Sequence, residues 1–278
     1  MTRVAVVGHV EWLTFARVEA VPPVGGIAHA TETWAGAGGG GGVGAVQLAR
    51  LAGSCDLFTA FGDDEVGRRA TEELETAGVT VHARRPPEPS REAVCLVDRD
   101  GERTITTLGP RLEPHGADPL PWELFEAVDA VYVTAGDDDA IRRARAAAVL
   151  IVSTRHLGPL IASGVRADAV VGSARDPLER YDPSALAHAP PELVVLTEGR
   201  EGGRFETAAG TRGRFRPAPL SGPISDTYGA GDSFQAGLTF GLGIGLRHLD
   251  ALALAARCGA AALTGRGPTG GQLTAADL

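Results

Sequence analysis

The sequence predicts an α/β fold, with a mostly parallel sheet between helices and a small second sheet beside it. From Val128 onward, strand-length apolar runs alternate with helical ones: Ala130–Thr134, Ala140–Val149, Leu150–Ser153, Leu157–Ser163, Ala169–Gly172, Asp176–His188 and Leu193–Thr197. Such alternation is what parallel strands joined by helical crossovers produce. Val4–Val7, apolar on every residue, and Leu57–Phe61, apolar but for Thr59, add two strands, as burial on both faces demands. Ala93–Asp98 and Arg103–Leu108 instead alternate polar and apolar residues about an Asp100-Gly101 turn, which marks a hairpin with one wet face.

The chain has 278 residues, enough for one sizeable α/β domain, and 44% of them are hydrophobic. A net charge of −9 argues against nucleic acid or an anionic membrane as partner. There is no lysine, so neither a Walker-type phosphate loop nor Schiff-base chemistry is available. The 3 cysteines, Cys55, Cys95 and Cys258, are far apart and fit reduced thiols in a cytoplasmic protein. The short apolar run before Gly8 suits neither a signal peptide nor a membrane span.

In chain order, Val4–Val7 is closed by Gly8, and the residues from His9 to Phe15 follow at the carboxyl end of the strand, where α/β sheets place ligands. Glu11 lies there and reads either as a ligand group or as a solvated loop residue. Pro22 to Gly26 is a turn, and Ile27–Trp34 reads as an exposed strand. The glycine run Gly36–Gly44 leads into a helix ending at Leu51. With Asp63 downstream it also satisfies a dinucleotide-binding pattern, but the strand before it is polar and so dense a run matches by chance. Glu65–Ala77 is a helix stopped by Gly78, and Arg84–Ser90 is a proline-stiffened linker. Asp137 to Asp139 suit a helix N-terminus better than a metal, since no other ligands lie near. Leu249–Leu263 is a close-packed, alanine-rich helix.

The stretch Ser225–Leu242 carries the chemistry. Gly229 and Gly231 bracket Ala230 just after a turn signal, and Phe234, Leu238 and Leu242 then recur at helical spacing. A glycine loop feeding a buried helix gathers unpaired N–H groups and the positive end of the helix dipole, where an anion is stabilised. Asp232 sits at that point, either as a proton acceptor or as a helix cap. Oriented amides with a base are what phosphoryl transfer to a hydroxyl needs.

The string Asp226-Thr227-Tyr228-Gly229-Ala230-Gly231-Asp232 resembles the C-terminal signature of the ribokinase (PfkB-type) carbohydrate kinase family. The resemblance implies that Asp232 is the catalytic base and that Gly229, Ala230 and Gly231 form an anion hole. The glycine run followed by Phe61 to Gly67 resembles the family's N-terminal signature, implying that Gly38 and Gly39 admit the sugar. The substrate-binding asparagine of the family falls on Val43, a departure that removes a polar contact. Glu11 and Arg103 complete the implied acceptor residues. Thr197, Gly199 and Gly202 match the family's nucleotide loop, with Thr227 and Gly267 implied on the nucleotide side. Of the family's magnesium motif only an acid survives, at Asp176, which equally reads as a cap before Pro177. Asp226 is implied beside a monovalent cation such as K⁺.

The resemblance therefore implies one domain over residues 1–278, a ribokinase-like three-layer α/β/α fold with a lid drawn from about 10–35 and 91–110. It implies ATP and Mg²⁺ as cofactors and a small sugar, nucleoside or related alcohol as acceptor; an exposed lid sheet, which offers its edge or face to another copy, suits a homodimer. A non-catalytic sugar or nucleotide binder of the same fold is the alternative, but such a binder has no need of Asp232.

Overall fold

In the computed structural model, which describes residues 2–278, two sheets carry the chain. The elements, in order, are β1 (Val4–Val7), β2 (Glu11–Arg17), β3 (Glu32–Gly38), α1 (Gly39–Ala52), β4 (Cys55–Ala60), α2 (Glu65–Thr76), β5 (Val79–Arg84), β6 (Glu92–Val97) and β7 (Arg103–Leu108). Then come β8 (Ala130–Val133), α3 (Asp138–Ala144), β9 (Val149–Ser153), α4 (Leu157–Ser163), β10 (Ala169–Ser173) and β11 (Leu193–Thr197). β12 (Gly203–Thr207), β13 (Arg212–Phe215), α5 (Ala230–Gly243) and α6 (His248–Leu263) complete the chain.

The large sheet has 9 strands in the order β13-β12-β11-β10-β9-β8-β1-β4-β5. All pairs from β11 to β5 are parallel, and β12 and β13 extend one edge antiparallel. Its central strands β1 and β8 are apolar and buried on both faces because helices cover both. Val4 and Val6 point with Tyr132 into a core built with α1, α2, α5 and α6. Ala5 and Val7 point the other way, with Val131 and Val133, towards α3 and α4 and the stacked rings of Phe58, Trp122 and Phe125. Two-residue periodicity thus divides the strands between the outer layers. α5 and α6 come close through small residues: a Cβ on Gly237 would lie 2.7 Å from Cys258 Sγ.

The small sheet runs β3-β2-β6-β7. β2 pairs antiparallel with β3 and parallel with β6, and β6 and β7 form the hairpin read from the sequence, Cys95 opposite Ile105. Its inner face is buried over Leu13, Phe15, Cys95, Val97 and Tyr228. Every residue of β7 is exposed.

Several sequence expectations are corrected. The residues after His9 are not a loop but β2, so Glu11 is buried, at 7% exposure. The strand expected at Ile27–Trp34 is instead Glu32–Gly38, because the glycines that pair with β2 carry no side-chain signal. That strand lies in the small sheet, so the glycine run does not open the parallel βαβ unit of a dinucleotide fold. Asp176–His188 is not a helix but two short 3-10 turns, each opened by an Asp-Pro pair, Asp176-Pro177 and Asp182-Pro183. Asp137 caps α3 by accepting from Ala140 N at 2.8 Å, as its position suggested. Among the described residues no helix is long and apolar enough to cross a membrane.

Candidate active site

The order of the large sheet locates the site. The chain passes from β1 outwards through β4 to β5, then returns to β8 on the other side of β1. Strand order therefore reverses at β1 and β8, the switch point where α/β sheets bind ligands. His9 follows β1 and Thr134 follows β8. α5 brings Asp232 to the same place. A Cβ on Gly40 would lie 2.6 Å from Thr134 Oγ1 and 2.9 Å from Asp232 Oδ1, so only glycine fits between them.

Gly229, at φ 74°, adopts the left-handed conformation that starts α5. The amides of Gly229, Ala230, Gly231 and Asp232 donate to no protein group among the described residues. A Cβ on Gly231 would meet nothing within 4 Å, so this turn opens outwards. Asp232 stands in the first turn of α5, and no side chain caps that helix; the capping role that its position equally suggested is not realised. Its Oδ1 accepts from Tyr132 Oη at 3.0 Å instead. Burial raises the Asp232 pKa above 3.8, opposed by the Tyr132 hydrogen bond; Glu179 adds to the rise, while Arg103 and Arg155 oppose it.

The remaining predicted residues fall into three groups. Around Glu11, Gly39 N donates to Tyr228 Oη at 2.7 Å, and Tyr228 reaches Glu11 Oε1 at 3.4 Å. A Cβ on Gly38 would lie 2.9 Å from that hydroxyl. Burial raises the Glu11 pKa against the pull of Arg91, whose Nε is 3.4 Å from Oε2. Val43 is fully buried against Gly229, whose Cβ would lie 3.0 Å away, and supports the turn from behind. Arg103 crosses from β7 to donate to Thr227 O at 2.7 Å and Thr227 Oγ1 at 3.0 Å, tying the small sheet to the glycine turn.

A second group braces the loops. Fully buried Asp226 accepts from Tyr228 N at 2.8 Å and Gly267 N at 3.3 Å, joining the segment before α5 to the segment after α6. At the end of β11, Thr197 donates to Gly172 O at 3.3 Å, while Gly199 and Gly202 take positive φ of 61° and 80° in the turn that follows. Asp176 stands apart from both groups: it accepts from Leu178 N at 2.9 Å, as a cap before Pro177 does, and pairs with Arg155.

Sequence reasoning passed over Tyr132, Glu179, His9, Arg91 and Arg111. A tyrosine inside the otherwise aliphatic run Ala130–Val133 was the available signal for the first, since a buried hydroxyl needs a partner. Glu179 is held by Ser173 N and Arg155 Nε, both at 2.7 Å, and its charge reaches Asp232. Arg111 Nη2 donates to Thr134 O at 2.8 Å and to His9 Nδ1 at 3.1 Å. No group of three or more acidic, histidine or cysteine side chains is arranged to hold a metal among the described residues.

With this geometry, the similarity to known proteins becomes specific. The family model for pfkB family carbohydrate kinases matches residues 1–158 and 167–275, and the chain belongs to that family. It is 30% identical over 250 residues to an ATP-dependent ribose-1-phosphate kinase of Halopiger xanaduensis, covering 85% of this chain and 83% of the relative. A fructokinase of Klebsiella pneumoniae is 30% identical over 274 residues, covering 80% and 84%. The structure of Arabidopsis thaliana ribokinase complexed with ribose and ATP superposes with a TM-score of 0.73 at 20% identity, covering 96% of this chain and 94% of that one. The fold is ribokinase-like, and the protein is a carbohydrate kinase.

Proposed function

We propose that the protein transfers the γ-phosphoryl group of ATP to a hydroxyl of a small sugar, nucleoside or related alcohol, with Asp232 as base. The observation that carries this is a half-open carboxylate set directly among four unpaired backbone amides. The relatives' names, kinases of ribose 1-phosphate, fructose and ribose, point to the same reaction class.

Tyr132 occupies Oδ1 of Asp232 and leaves Oδ2 for the acceptor. Asp232 draws the proton from the acceptor hydroxyl as that oxygen bonds to the γ-phosphorus; the bond to the β-phosphate oxygen breaks, and ADP departs with the electron pair. The amides of Gly229, Ala230 and Gly231 hold the charge that builds on the phosphoryl oxygens, and being fixed beforehand they do so without reorganisation. Arg103 and Arg155 favour the ionised base by their charge. The unpaired amides fit a triphosphate. Mg²⁺, which shields phosphate charge when bound, finds few protein ligands: Glu179 and Asp176 both pair with Arg155, so the nucleotide itself would supply most of the ion's ligands.

ADP release from Mg·ATP, measured over a panel of sugars, sugar phosphates and nucleosides, tests the reaction. Turnover that requires an acceptor, and that EDTA abolishes, is expected. Saturable sugar or nucleotide binding with no turnover on any acceptor would instead mark a binding protein on this fold.

A further inference from the structure

Beside Asp232, on the acceptor side, cationic donors remain without acceptors. The Arg91 side chain is 17% exposed, and its guanidinium makes no hydrogen bond to any described residue; its Nε is buried and unpaired. Glu11, 3.4 Å away, is its sole carboxylate contact, and that acid is shared with Tyr228. Arg111 is held by Nη2 alone, and its Nε lies 3.8 Å from Glu113, too far for a hydrogen bond. Because His9 accepts at Nδ1 from Arg111, its ring proton sits on Nε2, which donates to nothing among the described residues. His9 borders the base, its ring 3.2 Å from a Cβ built on Gly39 beside Gly40, which adjoins Asp232. Arg111 joins the group through its hydrogen bond to His9, and Arg91 through Glu11, which shares Tyr228 with Gly39 N.

We propose, resting on the kinase reading above, that Arg91, Arg111 and His9 form an anion subsite and that the acceptor is a sugar or related alcohol already bearing a phosphate group. That group binds the two guanidinium forks and the imidazole N–H while a hydroxyl of the same molecule lies against Asp232. Partly buried guanidinium donors left without acceptors are costly, and a neutral sugar hydroxyl offsets no charge. Two forks and a third donor exceed what the two oxygens of a carboxylate take up, and match the three terminal oxygens of a phosphate. The electrostatics agree: burial, then Arg111, Arg91, His156 and Arg155, hold His9 well below its usual 6.5, so the field at the imidazole is positive. Arg155 takes no part, being paired with Asp176 and Glu179.

Matched acceptors test this on the wild-type protein: ribose against ribose 1-phosphate and ribose 5-phosphate, fructose against fructose 1-phosphate and 6-phosphate, with gluconate as the carboxylate arm. A phosphorylated member used at least tenfold better in kcat/KM than its neutral parent and than gluconate is the expected result. Equal or better use of a neutral sugar, or preference for gluconate, overturns the phosphate subsite while leaving the kinase reading intact. In Arg91→Met the ratio of phosphorylated to neutral kcat/KM should fall at least tenfold, and Arg91→Lys, which keeps the charge but not the fork, should fall between. An equal proportional loss on both acceptors would overturn the role of Arg91. If no acceptor releases ADP, the kinase reading fails, and calorimetry still decides the subsite. Binding of a phosphorylated sugar at least tenfold tighter than its parent upholds it, and equal binding overturns it.

Discussion

At the scale of single residues, Asp232 is set by opposing influences that can be separated. Burial raises its pKa and the Tyr132 hydroxyl lowers it. Removing the hydroxyl should therefore raise the pKa further. For a base that must be ionised to act, kcat/KM falls on the acid side as pH drops through that pKa. In Tyr132→Phe the acidic limb of the pH–rate profile is expected to move to higher pH, with the plateau lowered less than in any variant of Asp232 itself. An unmoved limb would show that Tyr132 does not tune the base. The place of Asp232 was legible in the sequence because Gly229 and Gly231 precede it and apolar residues follow at helical spacing. Tyr132 was not, because its partner lies 100 positions away and only the fold joins them.

At the scale of elements, the glycine turn and α5 behave as one device. Gly229 must take φ 74°, and Val43 closes the space behind it. Gly229→Ala meets a left-handed backbone and a Cβ contact at 3.0 Å, at a cost of about 1–2 kcal/mol from the backbone alone. Denaturant unfolding should register that loss, and ADP formation should fall by more than the stability change explains, because the amides swing out of line. Activity equal to wild type would mean that the turn need not hold this shape. Strands such as Val4–Val7 were readable because burial on both faces leaves only apolar residues. β3 was misread because its first half has a wet face and Gly36 and Gly38 carry no pattern, and β2 because Glu11, a charged residue, is buried there. The turns after β10 deceived for another reason: Pro177 and Pro183 start helical geometry, but neither segment has the length to continue it.

At the scale of the whole molecule, charge and burial couple stability to pH. His9 and His156 both have pKa values held below 6.5 by burial, reinforced at His9 by arginines. Below 6.5 the unfolded chain binds more protons at these two positions than the folded one, so their contribution to stability rises with pH, by up to about 1.4 kcal/mol per pH unit for each group. Glu11, Glu73 and Asp232 have raised values, and their contribution runs the other way, from the ordinary carboxylate range upwards. Comparing His156→Gln with wild type isolates the histidine. Their difference in unfolding free energy should shift in favour of the variant as pH falls from 7.5 towards 5.5, and a constant difference would contradict burial of a neutral ring. The three-layer architecture was foreseeable from alternating runs. What the sequence hid was the meeting of His9, Thr134 and α5 at the reversal of strand order, since no local pattern reports which strands become neighbours.

One measurement bears most directly on the claim that a carboxylate among bare amides is where phosphate and alcohol meet. It is the kcat of Asp232→Ala at saturating Mg·ATP and acceptor, with nucleotide affinity determined alongside. Loss of a general base predicts a fall of about 10²–10⁴-fold with nucleotide affinity little changed. A kcat within a few-fold of wild type would contradict it.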